Sequence, residues 1–385
     1  MKKILMTVAA AALMLTACMK EATVTVTVEN KADLARTELA EVTWSLVKQN
    51  LKLEAGQKFV VLDEQGQQVP YQLVTYGQND PQLLVFPVSI EAGAKQTFTV
   101  KAGEPDSIAP QVQVNFVPQR KDDISWENDR VAFRMYGPAL EIDSVEPLTS
   151  CGIDLWVKKT PNLVTMKWYA DDLAGIRKYH DDHGEGLDFY SVGTTLGCGA
   201  AAPYANDSLY RPTHNFSQYE ILDNGPLRVV FKLTYPQYYV ADSVLVNETR
   251  TVSLDAGSNL NKITENYGDI SKPIQVAAGF PYYDNEAYVM NAEEGYIAYA
   301  QPENPENGTI YVGLVADVPL ISTFAAHKQL LGLLDYQPSW SAGRGLTYYS
   351  GGGWSKGGYP TAESWNSYVA DFAKLVRNPL IIGVQ

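Results

Sequence analysis

Residues 23–29 read TVTVTVE, valine alternating with threonine up to a closing glutamate. Alternation with a period of two puts one side of the segment on an apolar surface and the other in water, the pattern of a half-buried strand. KFVVLDEQGQQVPYQLV, QLLVFPVSI and KQTFTVKAG continue it, divided by turn residues such as Glu64-Gln65-Gly66 and Glu91-Ala92-Gly93. Together they predict a small β-sandwich ending near Gly103. Residues 33–48 suit a helix and a strand equally. AGEPDSIAP, residues 102–110, is a polar connector with two prolines and marks the domain boundary.

Strand character resumes in RVAFRMY, GIDLWVKK, LRVVFKLTY, ETRTVSLD, TIYVGLVAD and GLTYYSG. That is too many antiparallel segments for one small barrel, and the stretch is long enough for a large core of two packed sheets. The expected class is therefore all-β with few helices. A small β-sandwich over residues 18–104 precedes a β-super-sandwich over 105–385. One late helix stands out: Thr361 can cap it, Trp365, Tyr368, Val369, Phe372, Leu375 and Val376 form an apolar stripe, and Pro379 follows.

The first seventeen residues change the picture of where this chain works. Lys2 and Lys3 precede an apolar run from Ile4 to Leu15, and Leu15-Thr16-Ala17-Cys18 is a lipobox. The run is too short to span a bilayer, so the pattern predicts a signal peptide over 1–17, cleavage before Cys18 and lipidation of that cysteine. The expected location is the cell envelope, anchored to the outer membrane on its periplasmic or surface face, with the lipid at Cys18 as the only membrane contact. Cleavage removes two lysines and no acid, moving the formal charge from −14 to −16. Such a surface repels nucleic acid. Cys151 and Cys198 remain in an oxidising compartment, either paired or buried singly.

Candidate chemistry concentrates in KYHDDHGEGLDFY, residues 178–190, which holds two of the four histidines. Asp181, Asp182, Glu185 and Asp188 repel one another and favour protonation of His180 and His183. Gly184 and Gly186 predict a loop that lets backbone approach a ligand. The bland alternative is a solvated acidic loop pinned by Tyr179, Phe189 and Tyr190. No cofactor is required by this pattern, although His180, His183 and Glu185 or Asp188 offer divalent-metal donors at a spacing that matches no strong motif. Arg130 and Arg134, four apart in SWENDRVAFRMYG, read as one ion-paired strand arginine and one carboxylate clamp. YYSGGGWSKGGYP reads as a glycine-rich loop that presents Tyr349, Trp354 and Lys356 to a sugar ring. VGTTLGCGAAAPY suits tight sheet packing, and His214 and His327 are isolated.

The segments NDRVAFRMYGPAL, GIDLWVKK, YHDDHGEGLDFYSVGTTLGCG, GPLRVVFKLTY, SLDAGSNLNKI and YYSGGGWSKGGYP resemble the Bacteroidetes lipoprotein family catalogued as domain of unknown function family 4861. The resemblance implies a galactose-mutarotase-like β-super-sandwich and a place among proteins that process uronic-acid polysaccharides. It also implies an oligosaccharide ligand bearing a uronic acid, and dehydratase or lyase chemistry. In that chemistry a base removes the C5 proton of a uronate, a cation neutralises its carboxylate and an acid expels the group at C4. The residues available are His180 or His183 as base, Arg130 as cation and Tyr190 as acid, with Glu185 and Asp188 orienting the imidazoles. Arg134, Trp126, Tyr349, Trp354 and Lys356 would bind substrate. Two other readings compete: a glycoside hydrolase using Glu185 and Asp188, and a non-catalytic glycan-binding lipoprotein using Trp126 and Trp354. An epimerase rests on the fold alone.

Overall fold

A computed structural model describes residues 23–54, 56–340 and 344–385. The lipobox and Cys18 lie outside the described residues. The protein is almost entirely β, with three α-helices among the described residues: α1 (Trp44–Asn50), α2 (Thr165–Leu173) and α3 (Ala362–Arg377).

The alternating segment forms the strand Thr23–Glu29 as expected, with Val24, Val26 and Val28 fully buried. Each such valine contributes about 1.5–3 kcal/mol through burial. The strand lies between Lys95–Ala102 and Ile381–Val384. The first domain is thus completed by the last strand of the chain, and the sequence boundary that gave 105–385 wholly to the second domain is corrected there. The ambiguous segment is both things in turn, a strand at Arg36–Thr43 running into α1.

The second domain is a super-sandwich. An eight-stranded antiparallel sheet faces two five-stranded sheets, one built from residues 112–187 and the other from residues 201–336. Their inner faces share one large apolar core that includes Trp126, Phe133, Leu155, Phe231, Val252 and Trp354. The outer face of the eight-stranded sheet is covered twice. Trp365 and Val369 of α3 pack on it, and the first domain docks beside them through Leu39, Val74 and Val85 against Leu227 and Val230. Gln72 fastens that docking, accepting from the backbone N–H groups of Leu227 and Arg228 and donating to the Arg228 carbonyl.

The late helix begins with a capping box between Thr361 and Ser364, as its sequence indicates. YYSGGGWSKGGYP departs from expectation. Its first half belongs to the strand Leu346–Trp354, inside the eight-stranded sheet rather than in a loop. The glycines there are packing residues. A Cβ on Gly351 would stand 2.0 Å from the Asn259 carbonyl oxygen, and one on Gly353 would stand 2.7 Å from the Trp365 ring. LGCGAAAPY does pack tightly, since a Cβ on Gly199 would meet Ser350 Oγ at 1.7 Å.

Helix α2 has no cap of its own. Glu127, on a neighbouring strand, accepts from the N–H groups of Val164 and Thr165 and from the Thr165 hydroxyl at 2.7–2.8 Å. Its other oxygen receives Lys158 Nζ at 2.6 Å, and both side chains are completely buried. A carboxylate at a helix N-terminus satisfies donors that the helix cannot. Replacing Glu127 by alanine strands a buried ammonium and uncaps α2. We expect a loss of about 3–5 kcal/mol in denaturant unfolding.

Candidate functional site

The site is built on the outer face of the sheet formed by Val112–Val117, Asp123–Asn128, Val131–Met135, Asp154–Lys158 and Gly186–Leu187. Register places Arg134 directly opposite Ser125 on one side and Asp154 on the other. The inner side chains of these strands are apolar, whereas Asp123, Glu127, Arg134, Asp154 and Lys158 are buried polar groups. Helix α2 and the 178–190 loop close over them, with Trp156, Trp168, Tyr169 and Tyr179 packed together. Gly186 is needed where the loop joins the sheet: its φ is +126° and a Cβ would lie 2.1 Å from the Val157 carbonyl oxygen.

Arg134 is the hub. Its Nη2 lies 2.6 Å from Asp154 Oδ2 and 3.5 Å from Asp188 Oδ2, and its Nη1 lies 4.0 Å from Asp123 Oδ2. The guanidinium also stands over the rings of Tyr136 and Trp156. Arg134 is therefore the ion-paired arginine of the two and is already committed to carboxylates. Burial pushes the Asp123 carboxyl up to about 6 against the pull of Arg134. Burial, reinforced by the charge of Asp154, holds Asp188 well above the usual carboxylate range.

His180 sits at the mouth of this cluster. Its Nδ1 is 2.9 Å from the Asp188 carbonyl oxygen and 3.6 Å from Asp188 Oδ2, and its ring packs on Tyr179 at 4.3 Å. A carbonyl oxygen only accepts, so Nδ1 carries the hydrogen in the neutral ring and Nε2 keeps the lone pair. The side chain is 57 % exposed. His183 is fixed in the opposite sense, with Nε2 at 3.1 Å from the Lys178 carbonyl. It lines a shallow depression with Trp168, Arg177 and Asp181.

The remaining sequence-selected residues scatter. Glu185 does not orient an imidazole. Lys167 binds it at 2.8 Å and holds it below the usual carboxylate range, with Trp168 Nε1 at 3.2 Å. Tyr190 belongs to the apolar core inside the super-sandwich rather than to the aromatic group over the Arg134 cluster, and its hydroxyl has no partner among the described residues, so it is not the acid of this loop. Arg130 is exposed in the turn after Asn128, with Tyr359 and Tyr368 as electrostatic neighbours, so it is not the cation of this loop. Trp126 and Trp354 are core residues whose indole N–H groups donate to Asn261 Oδ1 and the Asn307 carbonyl. Neither offers a stacking face. Lys356 is exposed and donates to the Glu306 carbonyl, while Tyr349 lines a separate cavity. His180, His183 and Glu185 do not converge, and no trio of candidate metal-binding side chains occurs among the described residues. Cys151 and Cys198 are free and buried. His214 contacts Glu141, and His327 contacts the Asp207 carbonyl.

Two features escaped the sequence. Arg120 Nε and Nη2 donate to Tyr179 Oη at 3.2 and 2.8 Å, and no carboxylate among the described residues is ion-paired with Arg120. The second is a fully buried group inside the super-sandwich. There Arg250 Nε meets Glu265 Oε1 at 2.6 Å and Nη2 meets Glu248 at 3.3 Å, ringed by Tyr235, Tyr238 and Tyr348. Burial raises both carboxyls. A signal did exist: Arg250 shares the inward register of Val252 and Leu254, where a charge is out of place.

The profile of the family described as Domain of unknown function (DUF4861) matches residues 28–382, and the chain belongs to that family. An uncharacterized protein, P7, of Formosa agariphila is 29 % identical over 380 residues, covering 94 % of this chain and 93 % of its own. Among solved structures, a protein in glycosyl hydrolase family 38 from Enterococcus faecalis superposes with a TM-score of 0.54 at 11 % identity over 95 % of this chain and 48 % of its own. An alpha-mannosidase from the same species gives 0.53 at 10 % identity over 95 % and 46 %. The chain thus spans about half the length of these structures, and the likeness is one of fold.

The Asp123 carboxyl makes stability depend on pH in a defined direction. The unfolded chain releases this proton near pH 4 and the folded chain near 6, so the folded state holds the extra proton between them. Stability falls as pH rises through that window, by about 1.4 kcal/mol per unit at most for one proton. Unfolding midpoints from pH 4.5 to 7 should show the decline, and Asp123→Asn should flatten it.

Proposed function

We propose that the protein is a carbohydrate-processing enzyme, a carbon–oxygen lyase that acts on a uronic-acid residue of an oligosaccharide by β-elimination. The observation that carries this reading is the exposed His180 ring, held through Nδ1 by the Asp188 carbonyl and packed on Tyr179, whose hydroxyl accepts from Arg120, an arginine with no ion-paired carboxylate among the described residues. His180 takes the C5 proton. Arg120 replaces Arg130 as the cation that neutralises the uronate carboxylate, which makes the C5 proton removable. The Tyr179 hydroxyl accepts from Arg120 and from Arg134 Nη1, and keeps its own hydrogen for the oxygen that leaves C4. The C4–O bond breaks as the C4–C5 double bond forms. Water is lost if C4 carries a hydroxyl, and a sugar is released if it carries a glycosidic bond.

The family supports a polysaccharide setting only through resemblance, and the fold likeness to glycosyl hydrolase structures points the same way. Lipidation at Cys18 would keep the enzyme in the cell envelope, where such oligosaccharides arrive. No metal is needed by this chemistry.

A hydrolase reading is favoured by one feature: Lys167 holds the Glu185 carboxyl below the usual range while burial holds that of Asp188 above it, the direction of split that a base and an acid require. Absorbance separates the two, because a C4–C5 double bond conjugated to the carboxylate absorbs in the ultraviolet. With uronate-terminated oligosaccharides we expect absorbance to rise, and His180→Ala to lower the rate about 10²–10⁴-fold. Arg120→Gln should lower kcat/KM, whereas Tyr190→Phe should remain near wild type. New reducing ends without absorbance, abolished by Glu185→Gln, would establish the hydrolase instead.

A further inference from the structure

A second cavity lies away from the loop. It measures about 540 Å³ and lies in the seam between the two domains, within the range of roughly 300–1,000 Å³ typical of small-ligand sites. Its floor is the outer face of the eight-stranded sheet, including Ser253, Lys262 and Tyr349. One wall is the Arg36–Thr43 strand, another is α3 through Asp371, Phe372 and Leu375, and the chain from Pro379 to Ile382 closes the end.

The charges on this lining divide into those already used and those left free. Arg228 is clamped by both oxygens of Asp255 at 2.5 and 2.6 Å and by Glu41 at 2.6 Å. Arg36 binds Glu38 at 2.7 Å and the Asn378 carbonyl at 2.6 Å. Lys262 and Asp371 have no ion-pair partner at 4 Å among the described residues. Three cations, Arg36, Arg228 and Lys262, face four acids, Glu38, Glu41, Asp255 and Asp371. That balance does not select an anion, and the charged floor does not suit an acyl chain. Tyr349 and Phe372 meet edge to face with centroids 5.2 Å apart and give the cavity an apolar side.

We propose that this seam cavity is a second ligand site, separate from the loop, which takes a neutral saccharide of disaccharide size. A pyranose has one apolar C–H face and a rim of hydroxyls that both donate and accept. The apolar face suits the Tyr349–Phe372 side. The hydroxyls suit the unengaged carboxylate of Asp371, the ammonium of Lys262 and the hydroxyls of Ser253 and Tyr349. Because the lining comes from the first domain, the sheet and α3, the bound sugar also clamps the domain seam. The site does not depend on the chemistry assigned to His180.

Calorimetric titration of the full mature chain with cellobiose, xylobiose and maltose tests the proposal. At least one should bind with a millimolar or tighter constant, and binding should fall at least tenfold in Tyr349→Ala and in the surface variant Asp371→Asn. Asp371→Asn keeps the test valid if Tyr349→Ala folds poorly. His180→Ala should bind as wild type does, so the seam site stands or falls apart from the lyase reading. No binding of any of the three sugars at 10 mM, roughly −2.7 kcal/mol, overturns the proposal. Binding that survives both Tyr349→Ala and Asp371→Asn overturns it equally, because the sugar then sits elsewhere.

Discussion

The five-stranded sheet of residues 112–187 carries charges on a face that must be buried, and covering them is the constraint from which the site follows. Asp123, Glu127, Arg134, Asp154 and Lys158 all project from that sheet and are nearly inaccessible. Unpaired buried charges are costly, so each needs a partner and a lid. Glu127 meets the need at one end by neutralising Lys158 and capping α2, which brings the helix down onto the sheet. Arg134 meets it at the other by gathering three carboxylates. The 178–190 loop then closes the remaining gap, and His180 ends at its edge because Asp188 is drawn inward to Arg134.

This arrangement explains why one acidic loop contains groups with opposite tendencies. Asp188 points into the protein, where burial raises its carboxyl above the usual range. Glu185, three residues earlier, points to Lys167, which holds its carboxyl below the usual range. The backbone between them adds a strand pairing that only Gly186 allows. Local composition therefore sets up the chemistry, while the sheet decides which group faces solvent.

The two domains are joined less by a linker than by shared structure. The last strand returns to the first sheet, Gln72 mimics a backbone partner for residues 227–228, and α3 shields what the first domain leaves open. The chain leading into the last strand, α3 and the Arg36–Thr43 strand border a space that none of them fills. A cavity so placed couples any occupant to the geometry of the seam.

By itself, the sequence determined the all-β class, the alternating first strand, the capped late helix, and the loop that holds His180, because period, capping residues and clustered ionisable groups are local properties. It did not reveal α2, whose cap comes from Glu127 on another strand. It misread the Gly351–Gly353 run, where close packing of Asn259 and Trp365, not flexibility, requires the glycines. It placed Trp126, Trp354 and Tyr190 at a surface, since an aromatic beside polar residues reads the same whether it faces core or water. That Arg120 rather than Arg130 lies against the loop, and that His180 rather than His183 meets Asp188 of the Arg134 cluster, was decided only by the tertiary structure. Charge pairing and tautomer depend on what lies within about 3 Å in space, which here is Tyr179 for Arg120, the Asp188 carbonyl for His180 and the Lys178 carbonyl for His183.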